Sequence, residues 1–123
     1  MKYPKQLKYE AGLHILGELR SAHTDLFKKS DAFRIFIDEQ ITQLHLSKVG
    51  EAYHDFPGGG YTSVICLTES HVSIHTWPEY GMATFDVFLS NYKRNNDGTT
   101  HQLFERVRDF FGAEVHNYHE IKR

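Results

Sequence analysis

The sequence predicts an α+β fold, a two-layer sandwich in which an antiparallel sheet carries helices on one face. Three observations carry that prediction. Two segments repeat apolar residues at helical spacing. Several others are rich in β-branched and aromatic residues and are separated by turn signals. Each helix offers one apolar stripe, enough to cover one face of a sheet and leave the other open. That open face implies a partner, and a homodimer is the expected one.

Leu13–Arg20 (LHILGELR) reads as a first strand. Ser30 then offers an N-cap, and Phe33, Ile37, Ile41 and Leu44 recur at the spacing of a helix of about four turns. Lys48–Phe56 reads as a strand closed by the turn Pro57-Gly58-Gly59-Gly60. No Lys-Ser or Lys-Thr follows those glycines, so they are a turn and not a phosphate loop. Tyr61–Thr68 (YTSVICLT) has apolar residues of both parities, which marks a central strand. His71–Trp77 and Gly81–Ser90 give two more strands, turned at Pro78–Gly81. After the polar loop Asn91–Gly98, Thr99 and Gln102 form a capping box for a second helix. It carries Leu103, Phe104, Val107, Phe110 and Phe111 and stops at Gly112. Ala113–Ile121 completes the set as a last strand.

Length and composition narrow the function. A chain of 123 residues fits one domain, with no repeat or linker to divide it, so residues 1–123 are expected to form a single unit. A net charge of −2 without a basic run argues against nucleic-acid or membrane-surface binding. No apolar run approaches a membrane span, and the opening MKYPKQLKYE lacks the apolar core of a signal peptide. The single cysteine, Cys66, precludes an internal disulfide framework and suits a cytoplasmic protein. In its apolar run, Cys66 is expected to be a small buried hydrophobe.

The densest chemistry lies in residues 67–80, LTESHVSIHTWPEY. His71 and His75 stand four apart, as in helical zinc motifs, but Val72, Ile74, Thr76 and Pro78 favour a strand. Four residues of strand span about 13 Å, whereas two nitrogens on one zinc lie only about 3–4 Å apart. No metal is therefore expected on that pair. At the strand period, Ser73, His75 and Trp77, continued by Glu79, line one face, and Val72, Ile74 and Thr76 line the other.

The run Glu69-Ser70-His71-Val72-Ser73-Ile74-His75-Thr76-Trp77-Pro78-Glu79 resembles the cleavage-site motif of the small prokaryotic S-adenosylmethionine decarboxylases. The resemblance continues through Tyr80–Phe88 and, more weakly, Gly12–Glu18. It implies a proenzyme that cuts itself between Glu69 and Ser70 and converts Ser70 into a pyruvoyl group, which forms a Schiff base with the substrate. It further implies that His75 is the processing acid–base, assisted by Thr62. Phe56 would stack on adenine, Trp77 line the pocket and Glu79 hold the ribose of S-adenosylmethionine, in an enzyme serving spermidine synthesis. Because Ser70 and His75 have opposite parity, the strand is expected to bend at Ser70. His14, within the weaker part of the resemblance, is a candidate support for the site, and His54 and Asp55 are candidates for its rim.

Two positions depart from the family pattern. Thr62 stands where a serine is usual, which keeps the hydroxyl and adds a methyl. Ser90 stands where the family carries its proton-donating cysteine. A thiol, with a pKa of about 8.5, is a far better acid than an alkanol, so water, His75 or Tyr92 would have to supply the proton. The change also admits arginine or ornithine as substrate, or an unprocessed, non-catalytic binding protein.

Overall fold

The computed structural model describes residues 8–123. The expected absence of a signal segment concerns residues that lie mainly outside that range. In chain order the elements are β1 (Leu13–Arg20), a 3-10 turn (Thr24–Phe27), α1 (Asp31–Gln43), β2 (Lys48–Asp55), β3 (Tyr61–Leu67) and β4 (Ser70–Trp77). A second 3-10 turn (Pro78–Tyr80), β5 (Met82–Leu89), α2 (Asp97–Phe111) and β6 (Glu114–Lys122) follow. The strands form one sheet in the order β2-β3-β4-β5-β1-β6, antiparallel at every pair. This is the α+β architecture expected. Among the described residues, no helix is long and apolar enough to cross a membrane.

The core lies between the helices and one sheet face. Alternation sends Ile15 and Leu19, Tyr61 and Ile65, Val72 and Ile74, and Phe85 and Val87 inward, all essentially buried. From above, α1 contributes Phe33 and Ile37, and α2 contributes Leu103, Val107 and Phe111. The two helices are joined by rings: Phe33 stacks on Phe111 with centroids 5.9 Å apart, and Phe36 on Phe110 at 4.4 Å. Gly17 lets the Phe104 ring close on the sheet, since a Cβ there would sit 2.6 Å from its tip.

Three local expectations are corrected. Ser30 does precede α1, but its hydroxyl and its N–H both donate to the Asp55 carboxylate at 2.8 Å instead of capping the helix. The α2 helix starts at Asp97, ahead of the Thr99 capping box, because Asn91 Oδ1 accepts the Asn96 N–H at 2.6 Å and starts the helix early. Cys66 is exposed. In β3 the odd residues face the helices, so Cys66 and Val64 fall on the open sheet face.

Candidate functional site

A hollow lies at each end of the β3–β4 hairpin, and most of the residues singled out in the sequence divide between the two ends. At one end, β3 and β4 set Thr62 opposite His75 in the ladder. Thr62 Oγ1 and His75 Nδ1 share a hydrogen bond. The Trp77 ring follows His75 at 6.5 Å, two residues along the same face. The loop after β2 brings in Phe56. It closes tightly, Phe56 N–H donating to Gly60 C=O at 2.9 Å, with Gly59 and Gly60 at φ +99°, where a side chain would be strained. Glu79 arrives on the 3-10 turn after β4. Phe56, Thr62, His75, Trp77 and Glu79 thus surround one cavity of about 350 Å³. Phe56 and Trp77 are 49% and 37% exposed, so two aromatic faces are presented to whatever enters. His54 packs edge-on against Phe56, whereas Asp55 is taken up by Ser30.

The other end holds the Glu69–Ser70 bond. Residues 68 and 69 form the two-residue connection between β3 and β4. Such hairpin loops favour positive φ at their central residues. Neither Thr68 nor Glu69 adopts it, and the strain falls on Ser70, at φ +150°. The ladder is nevertheless regular through Ser70, which pairs with Leu67 and Leu89, so the departure lies in the backbone torsion alone. Ser90, just past β5, donates its N–H to the Glu69 carbonyl at 2.7 Å. Glu69, Ser90, Tyr92 and Asn96 line a hollow of about 430 Å³.

The pairing of β4 with β5 runs unbroken from Ser70↔Leu89 to Trp77↔Met82. At strand rise, five residues separate Ser70 from His75 by about 16 Å. One chain therefore does not bring its own histidine to its own serine.

Between the two ends lies a group the spacing did not reveal. His14 Nε2 and His71 Nε2 each lie 2.8 Å from Asp86 Oδ2, and Ser73 Oγ donates to Asp86 Oδ1. Burial raises the Asp86 pKa, but the bonds from Ser73, His14 and His71 outweigh it and hold the carboxyl below its ordinary value. The ligand-type atoms of His14, His71 and Asp86 lie within 4.8 Å of one another, the one such group among the described residues. Arg123 points Nη1 at His14 Nδ1 from 3.4 Å, which leaves Nδ1 the acceptor and Nε2 the protonated nitrogen. An acid in the strand TFDVF was the available signal, but its partner His14 is 72 residues away.

The family model for S-adenosylmethionine decarboxylase matches residues 13–123. An S-adenosylmethionine decarboxylase proenzyme of Archaeoglobus fulgidus is 42% identical over 112 residues, covering 91% of this chain and 96% of that protein. One from Hydrogenobaculum is 40% identical over 119 residues, covering 85% and 89%. The crystal structure of the adenosylmethionine decarboxylase from Aquifex aeolicus superposes with a TM-score of 0.81 at 26% identity, covering 94% of this chain and 92% of that one.

Proposed function

Because the chain belongs to the S-adenosylmethionine decarboxylase family, we propose that it cuts itself between Glu69 and Ser70 and decarboxylates S-adenosylmethionine with the pyruvoyl group so formed. In this reading it is one domain over residues 1–123 before cleavage, works in the cytoplasm as a homodimer of processed protomers and supplies aminopropyl groups for spermidine synthesis. The observation that carries it is the cavity of Phe56, Thr62, His75, Trp77 and Glu79. Two aromatic faces and a carboxylate suit a flat base, a ribose and a sulfonium charge. They suit the aliphatic chains of arginine or ornithine less well.

The residues around the scissile bond fit the chemistry that would make the group. Ser70 Oγ adds to the Glu69 carbonyl carbon while its proton passes to the amide nitrogen. The C–N bond breaks, leaving an ester and a free amine. Loss of the Ser70 Cα proton then expels the Glu69 carboxylate, and hydrolysis of the resulting dehydroalanine releases ammonia. The Ser90 N–H, already 2.7 Å from the Glu69 oxygen, meets the negative charge that oxygen acquires during the addition. The positive φ at Ser70 stores backbone strain next to the bond that breaks. Once formed, a pyruvoyl group supplies a ketone that takes the substrate amine and accepts the electrons freed as carbon dioxide leaves.

The acid–base pair must come from elsewhere, since His75 is about 16 Å along the strand from Ser70. Packing two open faces about a two-fold axis would lay the His75 end of one protomer over the Ser70 end of its partner. Each site would then combine Ser70 and Ser90 with the partner's Thr62, His75, Phe56, Trp77 and Glu79. The exposed Val64 and Trp77 on that face favour such a cover.

Intact mass measurement of the denatured protein tests the reading. Two chains, 1–69 and 70–123, should replace the 14.3 kDa species. Carboxyl-labelled S-adenosylmethionine should release carbon dioxide, and labelled arginine and ornithine should not. A single uncleaved chain after long incubation would overturn the proposal.

A further inference from the structure

Ser90 is held from both sides. Its N–H is bonded to the Glu69 carbonyl, and its own C=O accepts Asn96 Nδ2 at 2.8 Å. Asn96 is 3% exposed and stands at the N-cap of α2. Asparagine is favoured there because its side-chain oxygen can accept a helix N–H. This one makes no such bond. Its Oδ1 is buried with no hydrogen-bond partner among the described residues. A helix cap would use the oxygen and ignore the amino group; here the amino group is used and the oxygen is left unsatisfied. Asn96 is itself fixed by Asn91, whose Oδ1 accepts its N–H at 2.6 Å. Asn91 Nδ2 in turn donates to Ala11 C=O at 3.0 Å and Asp97 Oδ1 at 2.9 Å. Two buried amides therefore brace the loop between β5 and α2 against the chain leading into β1.

We propose that Asn96 is a positioning residue for self-cleavage: by holding the Ser90 C=O, in the peptide unit after Ser90, it fixes the backbone of Ser90 so that the N–H of the preceding unit stays on the Glu69 oxygen as that oxygen becomes an anion. This rests on the self-cleavage reading above. The bond is between neutral groups before Ser70 attacks and charge-assisted during the attack, so its geometry matters most in the addition step. A loop free to rotate would lose the donor when it is worth most.

The test substitutes Asn96→Asp, which keeps a favoured N-cap residue but sets an oxygen against the Ser90 carbonyl. Asn96→Ser, also a good cap, is too short to reach it and guards against a fold-specific failure of the first variant. Cleavage of both, followed by intact mass, should slow at least about tenfold, with melting temperatures within a few degrees of the unsubstituted chain. Hydroxylamine cuts esters and leaves amides, so it should fail to split the accumulated precursor, which waits before the acyl shift. Cleavage at the unsubstituted rate in both variants, or prompt splitting of their precursors by hydroxylamine, would overturn the proposal. Failure of the unsubstituted chain to cleave would instead count against the self-cleavage reading.

Discussion

The two ends of β4 differ in how finished they are. Around His75 the groups are already engaged: Thr62 is hydrogen-bonded to the imidazole, and Phe56, Trp77 and Glu79 stand around an open cavity. Around Ser70 the backbone is strained, and among the described residues the Glu69 carbonyl accepts a main-chain N–H, that of Ser90, from a braced loop. In the proposed function, one end binds and moves protons and the other reacts. Their separation of about 16 Å in one chain is what makes the proposed cleavage depend on assembly: in that proposal an isolated protomer holds a strained bond without the acid–base pair to break it.

The sharpest way to break that comparison is complementation. Ser70→Ala alone should abolish cleavage, since it removes the attacking oxygen, and His75→Ala alone should nearly do so. In dimers reassorted from the two variants, the His75→Ala chain retains Ser70 and gains an intact histidine from its partner. With random assortment, about half of the His75→Ala chains should then cleave, and none of the Ser70→Ala chains. Intact mass distinguishes the two chains. No cleavage in the mixture would mean that the ends do not meet across a dimer.

A smaller effect separates binding from processing within the His75 end. Glu79 lines the cavity but does not touch Thr62 or His75 through any hydrogen bond present. Glu79→Gln should therefore leave the cleavage rate unchanged and raise KM about tenfold, the worth of one hydrogen bond to a charged acceptor. Equal losses in cleavage and in KM would show that the two functions of this end cannot be separated.

What was legible in the sequence was whatever depends on local period. Leu13–Arg20 forms the strand expected, and alternation in β4 buries Val72, Ile74 and Thr76 while exposing His75 and Trp77. What was not legible depends on distance. Ser70 and His75 look adjacent in a motif, but strand rise carries them apart. Cys66 sits in an apolar run yet points to the open face, because parity and not neighbours decides which side a strand residue takes. The start of α2 follows from Asn91 reaching Asn96 across the loop, a contact that outweighs the local capping pattern at Thr99. His14 and Asp86 meet only because β1 lies beside β5 in the sheet.

The smallest expected effect concerns the network that spans the two ends, where Asp86 gathers His14, His71 and Ser73 from β1 and β4. Its carboxyl is held below the ordinary range, since the donated bonds outweigh the burial that opposes them. A depressed folded-state pKa contributes stability that is present above the unfolded value of about 3.9 and lost as pH falls through the folded value. Asp86→Asn removes the charge while keeping the shape, so at neutral pH it should destabilise by about 1–3 kcal/mol. The difference should shrink below about pH 4, where the unsubstituted carboxyl protonates as well. Urea unfolding from pH 7 to pH 2.5 measures this, at fixed protein concentration because association shifts the midpoint. Both chains should carry Ser70→Ala, so that cleavage does not intervene. A stability difference that stays constant across that range would mean that shape, and not the carboxylate charge, is what joins the two ends of the sheet.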